Sequence, residues 1–144
     1  MRNAPFTIVF DPVLNLFIHK AREMTERVSL PSTILGKHLI AELWDAPAAS
    51  LNDAALIRES LLAAAHQGGF TVLNVHVHEF SPHGVTGVLV LAESHLSIHT
   101  WPEYGYAAVD VFSCGGDPWA ALDELKARLG VEHLEVRELD RGVL

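Results

Sequence analysis

Apolar positions along this chain recur with two periods, and the switches between them divide it into elements. Val13, Phe17, Ala21, Met24 and Val28 recur at helical spacing behind Asp11-Pro12, and Leu30-Pro31-Ser32 ends the run. The spacing predicts a helix over residues 12–28 within an N-terminal extension, 1–35, ahead of a core domain, 36–144. Residues 38–44 read as a strand and 47–50 as a turn. Leu51, Ala55, Ile57, Leu61 and Leu62 share one side of a helix over 51–66, which Gly68-Gly69 stops. β-Branched and aromatic residues predict a strand over 70–80, then a turn at Ser81-Pro82-His83-Gly84. Residues 85–91 are almost continuously apolar, which predicts a strand buried on both faces. Residues 94–101 alternate and are strand-like, and 106–112 form another strand beyond a turn at Pro102-Glu103-Tyr104-Gly105. Asp117 is placed to cap a helix over 118–129 with proline at its first position, and 131–139 form a last strand. The fold class expected is α+β: a mainly antiparallel sheet with two helices on one face, in the order β-α-β-β-β-α-β, plus the N-terminal helix.

Composition narrows the function classes. With 144 residues, 49% apolar and 19% charged, the chain can bury one core and is not a disordered sequence. A net charge of −8 with histidines neutral argues against nucleic acid as the main partner. No apolar run approaches the roughly 20 residues of a membrane span, and no signal peptide is read at the N-terminus. A single cysteine excludes an internal disulfide, so a reducing, cytoplasmic setting is expected.

Candidate chemistry concentrates in LAESHLSIHTWPEYGYAAVDVFSCGG, residues 91–116, which holds Ser94, His95, Ser97, His99 and the lone Cys114. Four readings compete. Taken singly, each residue is most simply structural, because a lone cysteine usually packs as a small hydrophobe. A metal site would use His76 and His78, which share a strand face, with His95 and His99 as added ligands. A Cys-His hydrolase would use Cys114 as nucleophile and His99 or His95 as base. In the fourth reading the chain cleaves itself between Glu93 and Ser94: the serine hydroxyl attacks the preceding carbonyl, and loss of the serine α-proton then expels the ester. That chemistry needs a serine held in a strained turn, a donor for the oxyanion and a base near the α-carbon.

The stretch AESHLSIHTWPEYGYAAVDVFSCG, with LGKHLIAELWD (35–45) and HEFSPHGVTGVLVLAES (78–94), closely resembles prokaryotic S-adenosylmethionine decarboxylases of the short archaeal and Gram-positive type. The resemblance covers about three quarters of the chain. It implies a pyruvoyl-dependent enzyme, cleaved at 93/94 into a β chain, 1–93, and an α chain, 94–144, with Ser94 becoming the pyruvoyl group. It further implies that His99 removes the serine α-proton during processing and that Cys114 donates a proton to the decarboxylated carbon. Thr86 falls where the family has a serine that assists processing; threonine keeps the hydroxyl on a stiffer side chain. Phe80 falls at the aromatic that stacks on adenine, and Glu103 at an acidic substrate contact. No metal is implied. The substrate is a small molecule, and a homodimer or higher oligomer with sites shared between subunits is expected. A pyruvoyl-dependent arginine or ornithine decarboxylase, or a homologue that binds without cutting itself, would share most of these residues.

Overall fold

A computed structural model describes residues 33–144, so the helix expected over 12–28 lies outside the described residues. Alternation decides the architecture. In β3 (Val85–Leu91), Val85, Gly87, Leu89 and Leu91 are buried while Val90 is exposed. In β4 (Ser94–Trp101), Leu96, Ile98 and Thr100 are buried while His99 and Trp101 are exposed. β5 (Tyr106–Ser113) buries Ala107, Val109, Val111 and Ser113. A period of two with one wet face is the signature of an antiparallel sheet covered on one side only. β1 (Ile34–Trp44), β2 (Val72–Glu79) and β6 (His133–Val143) complete six strands in the order β2-β3-β4-β5-β1-β6, and every neighbouring pair is antiparallel.

Three helices follow from local signals. α1 (Ala48–Leu51) is a single turn behind Pro47. α2 (Ala54–Gln67) starts at Asp53, whose carboxylate accepts the N–H groups of Ala55 and Leu56 at 2.9 Å each. α3 (Pro118–Leu129) starts at Asp117, with Pro118 at its first position, and ends at Gly130 in the left-handed conformation. α2 packs on β2 and β3, α3 on β1 and β5, and the two helices touch each other. Leu39, Leu43, Ile57, Leu61, Leu89, Leu96, Ile98, Leu122 and Leu125 fill the layer between helices and sheet. Gly87 lets α2 approach: a Cβ there would lie 2.5 Å from Leu61 Cδ1. No helix among the described residues is long and apolar enough to cross a membrane.

The α+β class and the antiparallel sheet agree with the expectation, and three details correct it. The strand-like stretch at 94–101 is a full strand, so four strands, β2 to β5, run between α2 and α3 and the expected order is one strand short. The segment read as a turn at 47–50 forms most of α1, because Pro47 tolerates a helix start. β3 is buried on one face rather than two, since both longer helices lie on the same side and Val88 and Val90 point to the other.

Thr100 ties the helical layer to the sheet from inside the core. Its hydroxyl donates to Leu51 O at 2.8 Å and accepts the Val85 N–H at 2.7 Å. Thr100→Val is therefore expected to cost about 2 kcal/mol, since it strands a buried donor and acceptor at once. Thr100→Ser is expected to restore most of that loss, read from urea unfolding midpoints.

Candidate active site

The β3–β4 connection is as short as a hairpin permits: Leu91 pairs with Ser94, leaving Ala92 and Glu93 as the turn. Two-residue hairpins usually take positive φ at the first turn residue. Here neither Ala92 nor Glu93 does; the unusual value passes to Ser94, at φ +157°, on the border of extended backbone. The turn expected around the scissile bond is present, but Ser94 itself begins a strand.

Three hydrogen bonds fix this turn. Ala92 N–H donates to Thr71 O at 2.9 Å, and Thr71 N–H donates to the Glu93 carboxylate at 3.0 Å. That backbone N–H is the main reason the Glu93 carboxyl is held below its ordinary range, so the tether is charged at neutral pH. On the other side, Cys114 N–H donates to the Glu93 carbonyl at 3.0 Å. It arrives there because β4 and β5 pair Ser94 with Ser113, which places the next residue of β5's strand exit beside the turn. Gly115 N–H donates to Ser113 Oγ at 3.0 Å and steadies that exit. The Cys114 thiol is exposed and opens on a cleft of about 210 Å³, shared with Lys37, Ser113 and Pro118. Ser94 Oγ lies 3.4 Å from His95 Nδ1.

The other expected residues gather elsewhere. His99 Nδ1 meets Thr86 Oγ1 at 2.8 Å, across a register that pairs the two residues directly. Both line a cleft of about 370 Å³ with Phe80, His83, Trp101 and Glu103. His83 Nε2 lies 3.1 Å from the Glu103 carboxylate, and Phe80 packs edge-on to His78 at 4.6 Å between centroids. Within one chain, Ser94 and His99 do not meet. Five residues of strand separate them, roughly 16 Å. Structure thus divides the candidates into two groups: Glu93, Ser94 and Cys114 at one end of β4, and Thr86, His99, Phe80 and Glu103 toward the other.

Some contributors had no sequence signal. The N–H groups of Cys114 and Thr71 act through the backbone, so their residue types reveal nothing. A polar chain also crosses the open face of the sheet. Arg141 donates to His38 Nδ1 at 3.0 Å, which leaves the ring proton on Nε2 to be donated to Asp110 at 3.0 Å. Ser97 Oγ donates to the same carboxylate at 3.5 Å. Tyr106 donates to the Glu42 carboxylate; burial, then that bond, pushes its phenol up to about 12. Among the described residues no three His, Cys, Asp or Glu side chains gather as a metal site, and His76 and His78 remain a pair.

The sequence model of the family described as S-adenosylmethionine decarboxylase matches residues 37–142. A Thermotoga petrophila protein named S-adenosylmethionine decarboxylase proenzyme is 46% identical over 110 residues, covering 75% of this chain and 85% of that one. A Pseudomonas paraeruginosa protein of the same name is 50% identical over 115 residues, covering 78% and 72%. Among solved structures, the crystal structure of the adenosylmethionine decarboxylase from Aquifex aeolicus VF5 superposes with a TM-score of 0.74 at 38% identity, covering 78% of this chain and 94% of that one. By sequence and by fold, this chain belongs to the S-adenosylmethionine decarboxylase family.

Proposed function

We propose that the chain is a proenzyme that cuts itself between Glu93 and Ser94 and then decarboxylates S-adenosylmethionine. One observation carries the cutting step: the Glu93 carbonyl is held on the Cys114 N–H, in a tight turn, directly before a serine. A backbone N–H aimed at a carbonyl oxygen is the element that stabilises an oxyanion during acyl transfer. Attack by Ser94 Oγ on the Glu93 carbonyl converts the amide to an ester. Loss of the Ser94 α-proton then expels Glu93 as a carboxylate, and hydrolysis of the resulting dehydroalanine releases ammonia and leaves a pyruvoyl group on the piece 94–144. The site suits such a group. The break falls in a turn, so the β3–β4 and β4–β5 pairings survive it, and the exposed Cys114 thiol stands beside the new terminus. When formed, the group acts as an electron sink for the pair released as carbon dioxide departs.

This chain's own residues supply the remainder. The thiol of Cys114 is the proton donor to the decarboxylated carbon, and a free thiol suits a reducing, cytoplasmic setting. Phe80, half-exposed in the cleft with Glu103, offers an aromatic face and a carboxylate to a cationic sulfonium nucleoside. His99, oriented by the Thr86 hydroxyl, removes the α-proton, and because it stands far from Ser94 in its own chain we assign it to the site of a second copy. In that arrangement Ser94 is served by His99 of the partner subunit, and the open sheet faces meet. The apolar residues left on that face, Val88, Val90, Trp44 and Trp101, favour such a cover. The decarboxylase domain begins by Ile34, the first residue of β1, so the boundary expected at 35/36 falls inside that strand.

Intact mass of the purified protein should show two pieces, 1–93 and 94–144, the latter carrying pyruvoyl, and the sample should release carbon dioxide from S-adenosylmethionine but not from arginine or ornithine. Ser94→Ala should remain one chain without activity; a stable uncut wild type would overturn the assignment. Cys114→Ser keeps the backbone donor and loses the thiol, so it should still cut while carbon dioxide release falls roughly 100-fold. Co-expression tests the shared site. A His99→Ala chain should stay uncut alone and become cut beside a Ser94→Ala chain, which brings an intact His99; no rescue would place both residues in one protomer's site.

A further inference from the structure

The amide-to-ester step needs a base of its own. Ser94 Oγ must lose a proton as it attacks, and the nitrogen of the broken peptide must gain one. His99 of the same chain is roughly 16 Å along the strand, and the partner subunit's His99 is assigned to the α-proton of the later step. The Glu93 carboxylate is one residue away but is turned to the Thr71 N–H. One imidazole of the same chain does reach the hydroxyl: His95 Nδ1, at 3.4 Å. Such contacts are often long before the reacting complex forms, so the distance is compatible with proton transfer.

The His95 ring is held in place. It stands edge-on to Phe112 at 5.8 Å and to His38 at 6.4 Å between centroids. His38 in turn is fixed by Asp110 and Arg141, and Arg141 also lies over the Phe112 ring at 5.4 Å. Strands β5, β1 and β6 thus all contribute to setting one imidazole against Ser94. A ring needed only to fill space on this face would not require its Nδ1 to point at the turn.

We infer that His95 is the catalytic base of the amide-to-ester step, distinct from the residue that removes the α-proton. Neutral His95, with its proton on Nε2, takes the hydroxyl proton on Nδ1 as Oγ bonds to the Glu93 carbonyl carbon. The oxyanion rests on the Cys114 N–H. The carbon–nitrogen bond then breaks, the electron pair goes to the Ser94 nitrogen, and His95 returns the proton to it. The step is an isomerisation, with no atom gained or lost and no outside reactant. It rests on the self-cleavage reading above and adds a residue to it.

Hydroxylamine separates the two steps, because it splits an ester and leaves a peptide bond intact. Full-length His99→Ala should build up the ester, seen by mass as a hydroxylamine-dependent split into 1–93 and a piece beginning with unmodified Ser94. Adding His95→Gln to that chain should slow the split about 100-fold. His95→Ala, in a chain whose circular dichroism and melting match the parent, should likewise lose self-cleavage and regain it with added imidazole, which a purely structural role would not permit. Should His95→Ala fail to fold, the His95→Gln rate decides. An ester formed as fast in His95→Gln/His99→Ala as in His99→Ala overturns the role of His95 while leaving self-cleavage standing. If His99→Ala yields no ester although the wild type cuts, an unchanged cutting rate in His95→Gln overturns it equally. A wild type that never cuts overturns both readings.

Discussion

The hydrogen bond from Cys114 N–H to the Glu93 carbonyl depends on the register of two strand pairs. β3 and β4 must close on Leu91 and Ser94, and β4 and β5 must pair Ser94 with Ser113. A slip of one residue in either ladder would turn the buried side chains outward and remove the donor from the carbonyl together. Packing therefore guards chemistry. Leu89, Leu96, Ile98, Val109 and Val111 must all face the helices for the core to form, and that same parity sets the turn against the β5 exit. The apolar core is thus the reason a reactive peptide bond is held with its neighbours in order.

The sheet's two faces have different work. One is sealed by α2 and α3. The other carries Trp44, Val90 and Trp101 among His38, His95, His99, Asp110 and Glu42. Polar groups there are paired to one another: Arg141 to His38, His38 to Asp110, Tyr106 to Glu42. A half-apolar face whose polar groups are already satisfied can be covered at low desolvation cost.

Much of this was legible in the sequence. The pattern locates α2 and α3 closely, and Asp117-Pro118 marks the start of α3 for the reason found. The fold class followed from the spacing of the strands. The buried-both-faces reading of β3 failed because Val88 and Val90 are apolar yet outward, and a sequence does not say which face lacks a cover within its own chain. Site residues were named through family resemblance, whereas their grouping was not. The distance between Ser94 and His99 follows only once both are known to lie on one unbroken strand. Backbone donors left no trace at all, since any residue but proline would supply the N–H.

Strand order has a final consequence. A cut after Glu93 would leave β1, β2 and β3 on one piece and β4, β5 and β6 on the other, and β1 lies between β5 and β6. The pieces interleave like fingers of two hands, so the severed molecule is held by shared ladders on both sides of β1. Unfolding would then become dissociation. Its midpoint would depend on protein concentration, and reassembly would be a second-order encounter of two chains that once found each other along a single thread.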